Sequence, residues 1–218
     1  MRRFPRSVLE EFPKEFAVFK NLRTPADVQD FLNGLKQNFE TEGETYYSPL
    51  MVLKNGKAHC MEGAVLAAAA LWHQGRPPLL MDLKTTDDDV DHVVALFKER
   101  NKWGALSKTN HAVLRYREAI YKDPRELAMS YFHEYFLHSG VKTLRSYSEP
   151  LSLLDFEDDW LTATEDLVGV VEALDFSKHF PILDKPAIKR LRLAEDIEIK
   201  AGKIVDQSPS SKKVDRRS

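Results

Sequence analysis

The 218-residue chain has one cysteine, Cys60, so no internal disulfide can form and the fold must rest on burial. A chain of this length can bury a sizeable core unaided. A lone thiol is expected in a reducing compartment, which points to the cytoplasm. Long apolar runs are also missing. The longest, Gly63 to Trp72, falls well short of the ~20 residues of a membrane span. At the N-terminus, MRRFPRSVLEEF begins basic, but Pro5, Glu10 and Glu11 break any apolar core of a secretion signal. Neither sign of charge dominates: 32 basic and 34 acidic residues leave a formal charge of −2. Such balance argues against a nucleic-acid or membrane-surface partner. Glycines are few, and Gly34, Gly43, Gly56 and Gly63 are scattered. No phosphate-cradling loop is present, and no cofactor is expected. No internal repeat is visible.

What remains is ordinary globular composition, 43% hydrophobic and 30% charged. Residues 1–202 are expected to form one domain, with a core near 45–120 and a helical part near 124–202. The polar, Ser-rich and basic stretch 203–218 is expected to be a disordered tail. Apolar residues Val28, Phe31, Leu32, Leu35 and Phe39 have helical spacing over 26–39, with Thr24 or Asp27 as cap and Pro25 in the first turn. Residues 40–55 are expected to be loop. CMEGAVLAAAALWH, 60–73, is a helix by propensity, ended by Gly75, Pro77 and Pro78. Strands are expected over 79–83, 90–98, 103–109 and 113–117, close enough for an antiparallel meander. Helices are expected over 124–138, 165–174 and 185–200. The order predicts an α+β fold, a nucleophile helix packed on an antiparallel sheet with extra C-terminal helices.

The chemistry centres on Cys60. It opens a helix, where unpaired N–H groups and the dipole favour a thiolate. The same N–H groups, that of Met61 among them, could form an oxyanion hole. A small buried hydrophobe is the bland alternative. His92 opens the apolar run HVVALF and is the natural base for a thiol. His59 adjoins the cysteine but is expected to point elsewhere. The ring of His92 needs an orienting group. Asp91 is a neighbour on the same strand and should face away, whereas Ser107, Thr109 and Asn110 lie on the next strand. Asp87-Asp88-Asp89 with Asp91 reads as a solvated turn and not a metal site. His133 and His138 are spaced by five, which does not make a zinc pair. Arg115, Arg117 and Arg145 are more simply salt-bridging residues than an anion pocket. Trp72, Trp103 and Trp160 are most simply core residues.

Cys60-Met-Glu-Gly-Ala-Val-Leu-Ala-Ala-Ala-Ala-Leu followed by Gly75 and Pro77 resembles the nucleophile segment of the transglutaminase-like superfamily, which has a papain-type Cys–His fold. His92 with its valines resembles that family's histidine strand. Trp103-Gly-Ala-Leu-Ser-Lys-Thr109 is similar to its Trp-x-x-x-Asp-x-Thr motif. The resemblance covers roughly 45–120. It implies Cys60 as nucleophile, His92 as base, acyl transfer through a thioester, a peptide or amide substrate, and Trp103 as a candidate substrate-binding residue. It departs at Ser107, where the family carries Asp. Ser107 or Asn110 then orients His92, or Asp82 takes over, or the domain is catalytically degenerate and serves as a binding module.

Overall fold

A computed structural model describes residues 2–41 and 43–205. The first part of the chain is helical: α1 (Arg6–Glu11), a 3-10 turn (Glu15–Lys20), α2 (Pro25–Gly34), β1 (Lys36–Gln37), α3 (Pro49–Asn55), β2 (Lys57–Ala58) and α4 (Cys60–His73). The sheet strands follow: β3 (Leu79–Lys84), β4 (His92–Glu99), β5 (Lys102–Leu106) and β6 (Arg117–Tyr121). After α5 (Pro124–Met129) come β7 (Ser146–Ser148), β8 (Leu151–Ser152), α6 (Val168–Asp175), β9 (His179–Pro181), α7 (Lys185–Ile188) and α8 (Asp196–Gly202).

The architecture is α+β. The main sheet runs β6-β5-β4-β3-β7-β9, with β8 also pairing β3, and its pairings are antiparallel. Side chains alternate across it. Leu80, Val93, Ala95 and Phe97 face a core shared with α4. Met81, Leu83, Val94 and Leu96 face a second core with Leu127 and Ala128 of α5. Residues 61–72 of α4 are all buried, which is why the helix is apolar on every side. Its small side chains let neighbours approach closely. At Gly63 an added Cβ would stand 2.3 Å from the Lys108 Cβ, so glycine is required for the segment after β5 to lie against the first turn of α4.

Several boundaries differ from expectation. The 26–39 helix stops at Gly34, and Lys36–Gln37 pairs in parallel with Lys57–Ala58 instead. Phe39 is consequently 67% exposed. Part of the expected loop at 40–55 is α3, started by Ser48, whose hydroxyl accepts from Met51 N–H, and ended by Gly56 at φ +64°. The 124–138 helix breaks after Met129 into a 3-10 turn at Phe132–Glu134. There the Ser130 hydroxyl binds its own helix at the Leu127 carbonyl, 2.6 Å away. The expected strand at 113–117 begins only at Arg117, because Leu114 takes φ +60°. The 185–200 helix is two short helices. Between them Ala194 N–H donates to the Gly140 carbonyl at 2.8 Å, and at Gly140, φ +84°, a Cβ would crowd the Ala194 carbonyl at 3.0 Å. Of the expected tail, Lys203 to Val205 lie against the 111–112 segment, with a bridge between His111 and Val205. Residues 206–218 fall outside the described ones. Among the described residues no helix is long and apolar enough to cross a membrane.

Candidate functional site

The first turn of α4 is anchored by its own cap. His59 is extended, φ −94° and ψ −170°, and its Nδ1 accepts from Met61 N–H at 3.3 Å. Glu62 reaches back to accept from His59 N–H at 2.9 Å, completing a capping box with an imidazole in the usual hydroxyl's place. Glu62 is fully buried, so its oxygens need donors. Asn38 Nδ2 (3.1 Å), Thr45 Oγ1 (2.8 Å) and Tyr47 N–H (3.2 Å) supply them. His59 Nε2 stands 2.7 Å from the Thr45 carbonyl, and 4.0 Å separates its Nδ1 from Cys60 Sγ. The expectation that His59 points elsewhere is therefore corrected: because it caps the helix by its side chain, its ring folds back over the residue it precedes. The use of the Met61 N–H as an oxyanion donor also meets an obstacle. That hydrogen is taken by His59, and the Met61 side chain is part of the core.

His92, the first residue of β4, is buried and hydrogen-bonded to Ser107 Oγ at 2.7 Å through Nε2. The Ser107 hydroxyl in turn lies 2.5 Å from the Leu114 carbonyl. A carbonyl can only accept, so the serine proton goes to Leu114 and its oxygen accepts from His92 Nε2–H. The neutral ring is thereby held in the tautomer whose Nδ1 carries a lone pair. Two supports keep Ser107 in place. The buried Gln29 carboxamide of α2 grips its backbone on both sides, accepting from Ser107 N–H at 2.9 Å and donating to Ser107 C=O at 2.8 Å. Leu114 occupies left-handed backbone space that costs a leucine about 1–3 kcal/mol. It is held there by Glu134, which accepts its N–H at 2.6 Å and pairs with Arg117 at 2.6 Å. Arg117, read from the sequence as a salt-bridging residue, does make that bridge.

The thiol responds to both rings. Burial pushes Cys60 up, but hydrogen bonds and charge from His59 and His92 outweigh it and bring the thiol down to about 5. For His59, burial works to lower the value, while the Cys60 thiolate, Glu62 and the Thr45 carbonyl lift it to about 9. Both directions favour the thiolate form of Cys60. Capping through Nδ1 uses that atom's lone pair, so protonation of this ring and capping by it exclude each other.

Cys60 is partly exposed on a cavity of about 550 Å³ that His59, His92 and Asn110 also line. Cys60, His92, Ser107 and Asn110 are thus gathered in one place, although the hydrogen-bond partner of His92 is Ser107. Trp103 is not part of the cavity wall. It stands at the other end of β5, opposite Lys98 and Tyr121, with the Lys98 ammonium 4.1 Å above its ring. Asp82 does not reach His92 either. Asp82 pairs with Val93 and His92 with Leu83, so the pleat sends the two side chains to opposite faces. Asp82 meets His179 instead, 3.0 Å away. In the acidic tract, Asp89 accepts from the Thr143 hydroxyl and Asp91 from Thr85 N–H. Among the described residues no cluster of three His, Cys, Asp or Glu side chains is arranged for a metal ion.

Two participants had weak or no signals. Gln29 sits on the buried side of an amphipathic helix, and a polar residue there is the only hint. The role of Leu114 rests on a backbone angle that its side chain disfavours. Compared with protein-family models and with curated proteins, the chain matches none.

Proposed function

We propose that the protein is a thiol-dependent acyl-transfer enzyme of transglutaminase-like type, acting in the cytoplasm, where Cys60 stays reduced. The observation that carries this reading is the Cys60 thiol at a helix start, open to a cavity and drawn toward its thiolate by two imidazoles. The Cys60 thiolate attacks the carbonyl carbon of an amide, and a C–S bond forms. His92, carrying the proton taken from the thiol, passes it to the departing nitrogen as the C–N bond breaks. Water, or an amine, then gives its proton to His92 and attacks the thioester, releasing acid or new amide and restoring the thiol. Ser107 supplies the orientation and tautomer that a carboxylate would supply elsewhere, without its charge.

The test is a burst. With 4-nitrophenyl acetate, one equivalent of nitrophenolate should appear rapidly and intact mass should gain one acetyl group, both absent in Cys60→Ala. Equal rates in the two proteins, with iodoacetamide labelling that follows an ordinary thiol, would refute it. The uncharged partner of His92 favours a second reading, a binding module that has lost chemistry. For that reading, Cys60→Ala leaves the biological role intact.

A further inference from the structure

The ring of His59 has one nitrogen whose proton is fixed and one whose proton is not. Nε2 faces acceptors only: the Thr45 carbonyl at 2.7 Å, Glu62 at 3.5 Å and Glu40 at 3.7 Å. It therefore carries a hydrogen in every state of the ring. Nδ1 lies between a donor and the nucleophile, 3.3 Å from Met61 N and 4.0 Å from Cys60 Sγ. With its lone pair free, Nδ1 accepts from Met61 N–H and caps α4. With a proton bound, it has the sulfur as acceptor and gives Met61 up. The capping bond is long, 3.3 Å against roughly 2.7–3.2 Å for a well-made N–H···O bond, so little is lost when it opens. The groups facing the ring favour the charged form. Cys60 and Glu62 come from α4, Glu40 and Tyr46 from the segment before α3, and His92 acts on the same sulfur from β4. Burial opposes the charge, and the thiolate, Glu62 and the Thr45 carbonyl outweigh it.

Once released, Met61 N–H has no partner inside its own helix, because the first four N–H groups of a helix have none. It is the amide that directly follows the nucleophile, a position from which a backbone N–H can meet the oxyanion of an acyl step. We infer that His59 is a positioning residue that shuts and opens the oxyanion site at Cys60. In the capped state its Nδ1 holds the Met61 N–H and the site is shut. With a proton from solution on Nδ1, that N–H is freed for the oxyanion that forms when Cys60 attacks. His59 lines the cavity, so solution reaches it. The proton lost by the thiol still goes to His92, and the two rings keep separate duties. The inference rests on the acyl-transfer reading.

Two reactions of the same thiol in the full chain test this. Acetylation by 4-nitrophenyl acetate passes through an oxyanion, and alkylation by iodoacetamide does not. The ratio of the two rates therefore reports the oxyanion site and cancels the amount of thiolate. His59→Asn sets an oxygen where Nδ1 stands, keeps α4 capped and takes no proton. Its ratio should fall about 10²–10³-fold below wild type. His59→Gly removes the ring and leaves Met61 N–H free, so its ratio should exceed that of His59→Asn by about tenfold or more. In wild type the ratio should fall as pH rises through about 9, where Nδ1 loses its proton and the cap returns. In His59→Asn it should not change with pH. In protein labelled with 15N at histidine and methionine, the His59 Nδ1 and Met61 amide resonances should move with one midpoint. A His59→Asn ratio equal to wild type, or equal losses in the Asn and Gly variants, overturns the proposal. A missing burst in wild type overturns the acyl-transfer reading, whereas resonances that titrate apart beside a normal burst overturn this proposal alone.

Discussion

Two histidine couples stand on the main sheet, one half-buried and one buried, and they are built differently. His179 of β9 meets a carboxylate, Asp82 Oδ2, at 3.0 Å. His92 of β4 meets a hydroxyl, Ser107, at 2.7 Å. The carboxylate–imidazole pair expected beside a nucleophile is thus present but faces the other way. A single step of register separates the two outcomes. Had Asp82 been opposite His92 instead of Val93, the pleat would have put carboxylate and base on one face. Asp82 N–H donates to the Ser148 hydroxyl at 2.9 Å, and Ser148 is opposite His179. A carboxylate fixes both the orientation and the charge of its ring. A serine whose proton is committed to a carbonyl fixes orientation and tautomer alone.

If orientation is what His92 needs, removing the base should have the largest effect. His92→Ala is expected to slow acetyl-thioester formation by about 10²–10⁴-fold, measured by stopped-flow bursts. Asp82→Asn should leave that rate within twofold. A comparable loss in both variants would mean that the couples are not functionally distinct.

Next in size is the support behind Ser107. Gln29→Leu removes both backbone hydrogen bonds to Ser107, and Ser107→Ala removes the hydroxyl. Each is expected to lower the burst rate about tenfold or more through loss of positioning, and to change kcat more than KM. Gln29→Glu keeps the acceptor for Ser107 N–H but loses the donor, so it should fall between Gln29→Leu and wild type. A Gln29→Leu protein with normal kinetics and only a lower Tm would assign Gln29 a purely structural part.

The pH dependence of the thiol distinguishes the two imidazoles around Cys60. The Cys60 pKa is lowered from 9.0 to about 5. Its stabilising contribution is therefore complete above 9 and lost as pH falls through about 5. The His59 pKa is raised from 6.5 to about 9, so its contribution is complete below 6.5 and lost as pH rises through about 9. Iodoacetamide labelling of Cys60 should rise through about pH 5 and then level off. In His59→Ala that rise should move toward the ordinary thiol range, and the lost cap should cost about 1 kcal/mol in urea unfolding. An unmoved profile would leave His92 as the sole source of the shift.

The smallest expected effect belongs to the other couple. Burial pushes Asp82 up to about 6 in spite of His179, and its Oδ1 is buried without a partner. A carboxyl raised in the folded state favours folding below its ordinary value of 3.8 and loses that contribution as pH rises through about 6. Asp82→Asn should therefore raise Tm relative to wild type at pH 8 by a few degrees (about 2–4 °C per kcal/mol) and not at pH 4. A Tm difference independent of pH would contradict this account.

The α+β order, the all-buried helix opened by Cys60, and the strands bearing His92 and Trp103 follow from local properties: alanine propensity, apolar runs of strand length, and glycine and proline stops. These act within a few residues, so the amino-acid order alone determines them. Which ring touches the thiol, which group holds His92, and where Asp82 goes are decided by contacts between residues far apart in the chain. Gln29 and Ser107 are 78 residues apart, and Asp82 and His179 are 97 apart. Register and pleat choose these partners by which side chains can be buried together, and no local pattern encodes that choice. His59 is the instructive intermediate. Its neighbour in sequence is the cysteine, yet it was the fully buried Glu62, with its donors from Asn38, Thr45 and Tyr47, that turned an adjacent residue into a cap facing the sulfur.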